Sequence, residues 1–254
     1  MTNHICFIQG DWVAPVIWEN FERHFKACGY ICNVLSLPDQ DDDGWYHILN
    51  GKAVLDRLVD FYALKIAALP SPPVLIGHAL GGLVVQILLD RGIGLAGVAI
   101  ASQAPQRVFP DLGSLIHIFG AKSEQLHGIC FLQMTSAQFF RHIAYPLTPQ
   151  TIKLSYNKIV YKVPKRLMIA LSLGIGSRLL FNQERGPLLL ISGSDDRLVK
   201  SSVVLANYYH QRQSLAQSDY LLFPGYGHLL IMQPGWEQVA DQIIEWLQQQ
   251  LGRF

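Results

Sequence analysis

Three short stretches carry residue types that do chemistry, at places where a fold could bring them together. In Val74-Leu75-Ile76-Gly77-His78-Ala79-Leu80-Gly81-Gly82 an apolar strand runs straight into a helical pattern, with glycines two positions either side of residue 79. So sharp a turn strains the backbone at 79 and leaves no room for bulk at the flanking positions. It lifts the side chain at 79 above the sheet. It also aims the N–H of Leu80, at a helix N-terminus, at any negative charge that develops there. The second stretch is the turn Gly193-Ser194-Asp195-Asp196-Arg197-Leu198-Val199, and the third is Phe223-Pro224-Gly225-Tyr226-Gly227-His228, after the last strand. A histidine base, an aspartate that orients its imidazole and a residue raised on a tight turn are the parts of nucleophilic acyl transfer. The second turn offers two neighbouring aspartates, Asp195 and Asp196, with helix capping or turn formation as the plain alternative. Position 79 is alanine, whose methyl group cannot attack a carbonyl.

The elements that must position these residues are legible as alternation. Apolar runs at His4–Ile8, Tyr30–Leu37, Val74–Ile76, Gly97–Ala101, Pro187–Ile191 and Tyr220–Phe223 read as strands. Helical periodicity falls between them, at 16–28, 52–69, 80–90, 201–211 and 236–251. Leu55, Leu58, Val59, Tyr62 and Ile66 share one face of the second helix; Trp236, Val239, Ala240, Ile243 and Leu247 share one face of the last. Strands apolar throughout and separated by helices predict an α/β fold, a doubly wound and mostly parallel sheet covered on both sides. Residues 103–186 break the alternation and read as a helical cap or lid inserted into a core of residues 1–102 and 187–254. Loops at the carboxyl ends of such strands line the site. Phe119, Phe131, Leu132, Met134, Phe139, Phe140, Tyr145, Tyr156, Leu167, Met168 and Leu171 are the candidates for an apolar inner face there, with Phe119, Phe139, Phe140 and Tyr145 as candidate substrate contacts and a cap that packs on itself as the alternative.

Composition narrows the function classes. Twenty Lys+Arg against nineteen Asp+Glu give a net charge of +1, with no basic block, which excludes a nucleic-acid footprint. Cys6, Cys28, Cys32 and Cys130 form no CxxC pair, and His117, His127 and His142 lack ligand spacing, so neither a disulfide scaffold nor a metal site is expected. No stretch reaches the roughly 20 apolar residues of a spanning helix, and the first residues do not read as a signal peptide. A cytoplasmic protein is expected.

Together these motifs resemble the α/β-hydrolase superfamily, in the lipase- and esterase-like branch that writes its nucleophile elbow GHSxGG. Phe7-Ile8-Gln9-Gly10-Asp11-Trp12 followed by Trp18-Glu19-Asn20-Phe21 is similar to that branch's HGxW…WExF segment. The resemblance implies a serine hydrolase of hydrophobic carboxylic esters or thioesters, with no cofactor. Residue 79 as serine would attack, His228 would move the proton, Asp196 would orient His228, and the N–H groups of Leu80 and Asp11 would hold the oxyanion. The Asp11 carboxylate would repel an oxyanion, so its side chain is expected to point away. Gln9 stands where the branch has histidine, and is expected to keep the loop in place through its amide. Three accounts of Ala79 compete: an engineered replacement of serine, a natural pseudo-enzyme that binds a ligand, and a non-hydrolytic lyase or cyclase using His228 as base. The motif context of Asp196 and His228 favours the first.

Overall fold

The computed structural model describes residues 3–39, 43–49, 54–108, 120–148, 156–181 and 184–252. Six parallel strands form the main sheet: β1 (His4–Ile8), β2 (Ile31–Leu35), β3 (Val74–His78), β4 (Gly97–Ile100), β8 (Leu188–Gly193) and β9 (Ser218–Phe223), in the order β2-β1-β3-β4-β8-β9. β3, β4 and β8 are buried along their whole length, which is why they read as unbroken apolar runs. The chain moves from β1 out to the β2 edge, then returns past β1 to β3 and continues the other way. That reversal leaves a crevice at the carboxyl ends of β1 and β3, where open α/β sheets bind ligands. The register pairs Ile8 with Gly77, so the residues after each strand emerge side by side. At β8 and β9 the pairing of Gly193 with Phe223 does the same for the two later turns.

The helices pack on both faces. α1 (Glu19–Ala27) buries Phe21 and Phe25 against Phe7, whose ring stacks 4.9 Å from that of Trp18. α2 (Asp43–Leu49) precedes α3 (Val54–Ala67), which buries Leu55, Leu58, Val59, Tyr62 and Ile66, the face that its periodicity marks. α4 (Leu80–Asp90) is buried all round, at the centre of the molecule. α6 (Ser201–Gln211) lies against β8 and β9, and α7 (Trp236–Leu251) packs on α1.

The insertion between β4 and β8 is not purely helical. Beside α5 (Lys165–Ser172) and shorter helical turns it holds an antiparallel sheet of β5 (Lys122–Leu126), β6 (Ile129–Gln133) and β7 (Val163–Pro164). His127 and Gly128 turn the β5–β6 hairpin with φ of 48° and 77°, the positive values that match strand twist. β5 is a mostly exposed edge with the sequence KSEQL, so no apolar alternation announced it. Among the described residues no helix is long and apolar enough to cross a membrane.

Candidate active site

Ala79 joins β3 to α4 with φ 51° and ψ −114°, a conformation that a residue with a Cβ adopts only at a cost of about 1–3 kcal/mol. Its N–H bonds the Ile100 carbonyl and its own carbonyl accepts from the Gln103 N–H, so strand pairing and the start of the insertion hold it in place. The flanking glycines are obligatory for contact reasons. A Cβ on Gly77 would lie 2.1 Å from the Gly81 carbonyl oxygen, and one on Gly81 would lie 2.3 Å from that of Ile8. Neither backbone atom can retreat, so Gly77→Ala is expected to cost at least about 3 kcal/mol, read as a drop in the urea midpoint of unfolding.

The turns after β8 and β9 bring Asp196 and His228, the candidate acid and base, together. His228 Nδ1 lies 2.8 Å from Asp196 Oδ2, with both side chains buried. The other carboxylate oxygen, Oδ1, accepts the N–H groups of Leu198 and Val199, both at 2.8 Å. Asp196 is therefore fixed at both oxygens and fixes the imidazole in turn, leaving Nε2 for a reacting group. Asp195, the neighbour that competed for this role, instead accepts from the Ser194 hydroxyl at an exposed position. His78 supports the base from behind. Its Nε2 lies 2.9 Å from the His228 carbonyl oxygen and its ring centroid 4.5 Å from that of His228. Burial, reinforced by any charge on His228, pushes the His78 imidazole down to about 3, so it is a neutral brace.

Asp11 overturns the expectation set for it. Its side chain does not point away: Oδ1 accepts the Leu80 N–H at 3.1 Å, and Oδ2 lies 3.4 Å from Gln103 Nε2. The N–H assigned to an oxyanion already donates to a carboxyl group. The reason is local. Beside the small Ala79, the bare end of α4 offers an unpaired donor, and a short acidic side chain one residue past Gly10 reaches it. Asp11 is 1% exposed. Burial raises its carboxyl above the ordinary carboxylate range, opposed by the Leu80 N–H and by charge on nearby His228.

The loop carrying Asp11 is clamped on both sides. Gln9 Nε2 donates to the Val13 carbonyl and Gln9 Oε1 accepts the Leu37 N–H, both at 2.8 Å. From the insertion, Ala14 N–H bonds the Ile159 carbonyl and Tyr161 N–H bonds that of Trp12. Gln9→Ala strands two buried backbone groups and is expected to destabilise the fold by about 1–3 kcal/mol, measured as a lowered Tm.

A cavity of about 320 Å³ opens beside this cluster, walled by Trp12, Gln103, Leu198, Met168 and Leu171, with Arg107 in its lining. It touches the site through three neighbours: Trp12 follows Asp11, Gln103 contacts Asp11, and Leu198 donates to Asp196. Of the four aromatic candidates for the substrate face, Phe139, Phe140 and Tyr145 do not line it. Phe139 is fully buried, packed on Phe140 and Tyr156 as part of the insertion's own core. Tyr145 stands under the Arg197 guanidinium, one residue from Asp196, and Phe119 lies outside the described residues. Gln103 escaped the sequence reading because it belongs to no motif; its position just after β4 was the available signal. Among the described residues no group of three or more His, Cys, Asp or Glu could hold a metal ion.

Known proteins share this arrangement of the chain. Tomato methylketone synthase I, solved in complex with 2-tridecanone, superposes with a TM-score of 0.71 over 98% of this chain and 99% of its own, at 13% identity. A monoacylglycerol lipase from Paleococcus ferrophilus gives 0.64 at 16% identity, covering 96% of this chain and 93% of its own. A methylesterase from Arabidopsis gives 0.65 at 15% identity, covering 96% and 98%. No curated protein matches the chain in sequence. The model of the alpha/beta hydrolase family matches residues 7–242, nearly the whole length, and contains the Ala79 turn, Asp196 and His228. With the parallel sheet, the strained turn at its centre and the paired histidine and aspartate at its edge, the chain belongs to the alpha/beta hydrolase family.

Proposed function

We propose that the chain is a proton-transfer enzyme on the hydrolase fold, acting on small hydrophobic carbonyl compounds through His228 without a covalent acyl intermediate. The observation that carries this is the Asp11 carboxyl on the Leu80 N–H. Acyl transfer needs a nucleophile and donors aimed at the oxyanion. Here both are altered together: a methyl group stands at 79, and an acceptor occupies a donor that an oxyanion would need. Loss of a serine alone would leave that donor free. The base is nevertheless held in working order, its imidazole fixed by an aspartate that is itself fixed by two backbone N–H groups. Such a base removes a proton from a carbon acid or a hydroxyl without any nucleophile.

The substrate class follows from the walls. Trp12, Met168, Leu171 and Leu198 make the adjoining cavity largely apolar, and its volume suits a small ligand with an alkyl or aromatic body. The names of the structural neighbours point the same way, since esters and a long-chain ketone share a carbonyl group on a hydrophobic body. The four cysteines are all unpaired, which fits a reducing compartment and a cytoplasmic location.

A second reading is favoured by the strain at Ala79, which positions a side chain that alanine lacks. In that reading the protein is a serine hydrolase of hydrophobic esters or thioesters, and Ala79 replaces its nucleophile. The two readings part in an assay of Ala79→Ser with p-nitrophenyl esters of increasing chain length, followed by intact-mass analysis. The proton-transfer reading expects no acyl adduct, and p-nitrophenolate release no faster than that of His228→Ala. A burst of p-nitrophenolate and a retained acyl group would contradict it.

A further inference from the structure

Asp11 is more than an obstacle to hydrolysis. It is buried beside the residue-79 turn, held at one oxygen by the start of α4, and close enough to His228 for the charge of each to act on the other. We propose that Asp11 is a second catalytic residue, the proton donor to the substrate's carbonyl oxygen, working opposite His228 in a reversible enolisation of hydrophobic ketones. The proposal rests on the proton-transfer reading of the site.

The geometry distributes the roles. Asp11 Oδ1 accepts the Leu80 N–H and Oδ2 accepts from the Gln103 amide, so Oδ2 is the oxygen that carries a proton once a ligand displaces that amide. The contact of Oδ2 with Gln103 is long, at 3.4 Å, and yields readily to a ligand oxygen. A carbonyl oxygen entering beside Ala79 would meet the carboxyl where an ordinary site presents backbone N–H groups. Burial raises the Asp11 carboxyl and so favours its neutral form, and a neutral carboxylic acid in an apolar pocket is a competent donor to a developing oxyanion. Alanine at 79 suits this arrangement, because a hydroxyl there would compete for the same carboxyl oxygen and for His228.

The step balances without any further reagent. His228 Nε2 takes a proton from the carbon next to the carbonyl, and the C–H electron pair becomes the C=C bond. The carbonyl π pair takes the proton from Asp11 Oδ2. The product is a neutral enol between an imidazolium and a carboxylate, whose attraction between buried side chains lowers the barrier. Reversal returns a hydron to carbon and a proton to Asp11. In D2O the hydron returned to carbon is a deuteron once His228 has exchanged with solvent.

The probe is 2-tridecanone in D2O buffer, with deuterium uptake next to the carbonyl followed by mass spectrometry. The native chain is expected to exchange faster than buffer, and His228→Ala to fall to the buffer rate. Asp11→Asn keeps an acceptor for the Leu80 N–H but cannot donate an acidic proton; its rate is expected to drop by about 10²–10⁴-fold. Asp11→Ser, smaller but also able to accept from Leu80, is expected to drop likewise. The native rate is also expected to decline on the alkaline side as Asp11 ionises, a limb missing from the residual rate of Asp11→Asn. A native rate or native pH profile in a folded Asp11→Asn or Asp11→Ser overturns the role of Asp11 while leaving His228 as the base. No exchange by the native chain overturns both the proposal and the reading beneath it.

Discussion

Ala79→Ser by itself is expected to remain almost inert toward a fluorophosphonate probe, and the double variant Ala79→Ser with Asp11→Ala to label at least about 100-fold faster. The serine would stand at a correctly strained turn, one residue after the His78 ring that packs on a histidine already oriented by Asp196. What it would lack is the Leu80 N–H as an oxyanion donor. Losing one oxyanion donor costs about 10²–10³ in rate, and here the Leu80 N–H is not merely lost but turned toward a carboxyl group. Asp11→Ala frees that N–H for the developing charge. Asp11→Ala alone, with no nucleophile, is expected to label no more than the native chain. Rapid labelling of Ala79→Ser alone would show that Asp11 swings aside, and would restore the serine-hydrolase reading.

The second large effect is on acid stability. His78 stays neutral in the folded protein because burial holds it down to about 3, against 6.5 for a free imidazole. The unfolded chain therefore binds a proton that the folded chain refuses, from about pH 6.5 downward. Stability falls with falling pH across that window, by about 1.4 kcal/mol per unit from this one group. Asp11 works with the opposite sign. Its raised carboxyl stays protonated in the folded state after the unfolded state has released its proton, so its contribution is full below pH 3.8 and is lost as pH rises above that. Urea midpoints between pH 4 and 6.5 should separate the two groups. His78→Gln is expected to flatten the fall, and Asp11→Asn to steepen it. A His78→Gln protein with the native slope would mean that the buried imidazole takes up its proton in place.

How much of this was legible depended on which physical signal each residue leaves in the chain. Central strands such as β3 and β8 are buried on both faces, so their apolar runs are unambiguous. The buried face of α3 follows from a 3.6-residue repeat alone. The site was legible where backbone constraint selects residue type, at glycines 77 and 81 because a Cβ would strike backbone, while His228 was legible only through the resemblance of its turn to that of the family. It was not legible where a side chain chooses between partners. Charge repulsion from an oxyanion predicted that Asp11 would turn away; with no anion present, the unpaired N–H at the start of α4 is the stronger attraction. β5 left no pattern because an exposed edge strand has no face to bury. Phe139 looked like a substrate contact because aromatic content cannot distinguish a pocket wall from the insertion's own core.

The central claim is that a carboxyl group, rather than an empty anion site, faces the start of α4. The backbone amide of Leu80 reports on it most directly, without any knowledge of the substrate. In a protein labelled at leucine nitrogen, the Leu80 N–H resonance is expected far downfield, as for an amide bonded to a carboxyl oxygen. It should move with the titration of Asp11 and shift upfield in Asp11→Ala. A Leu80 resonance that neither titrates with Asp11 nor responds to its replacement would mean that the N–H is free for an oxyanion, and would contradict the account.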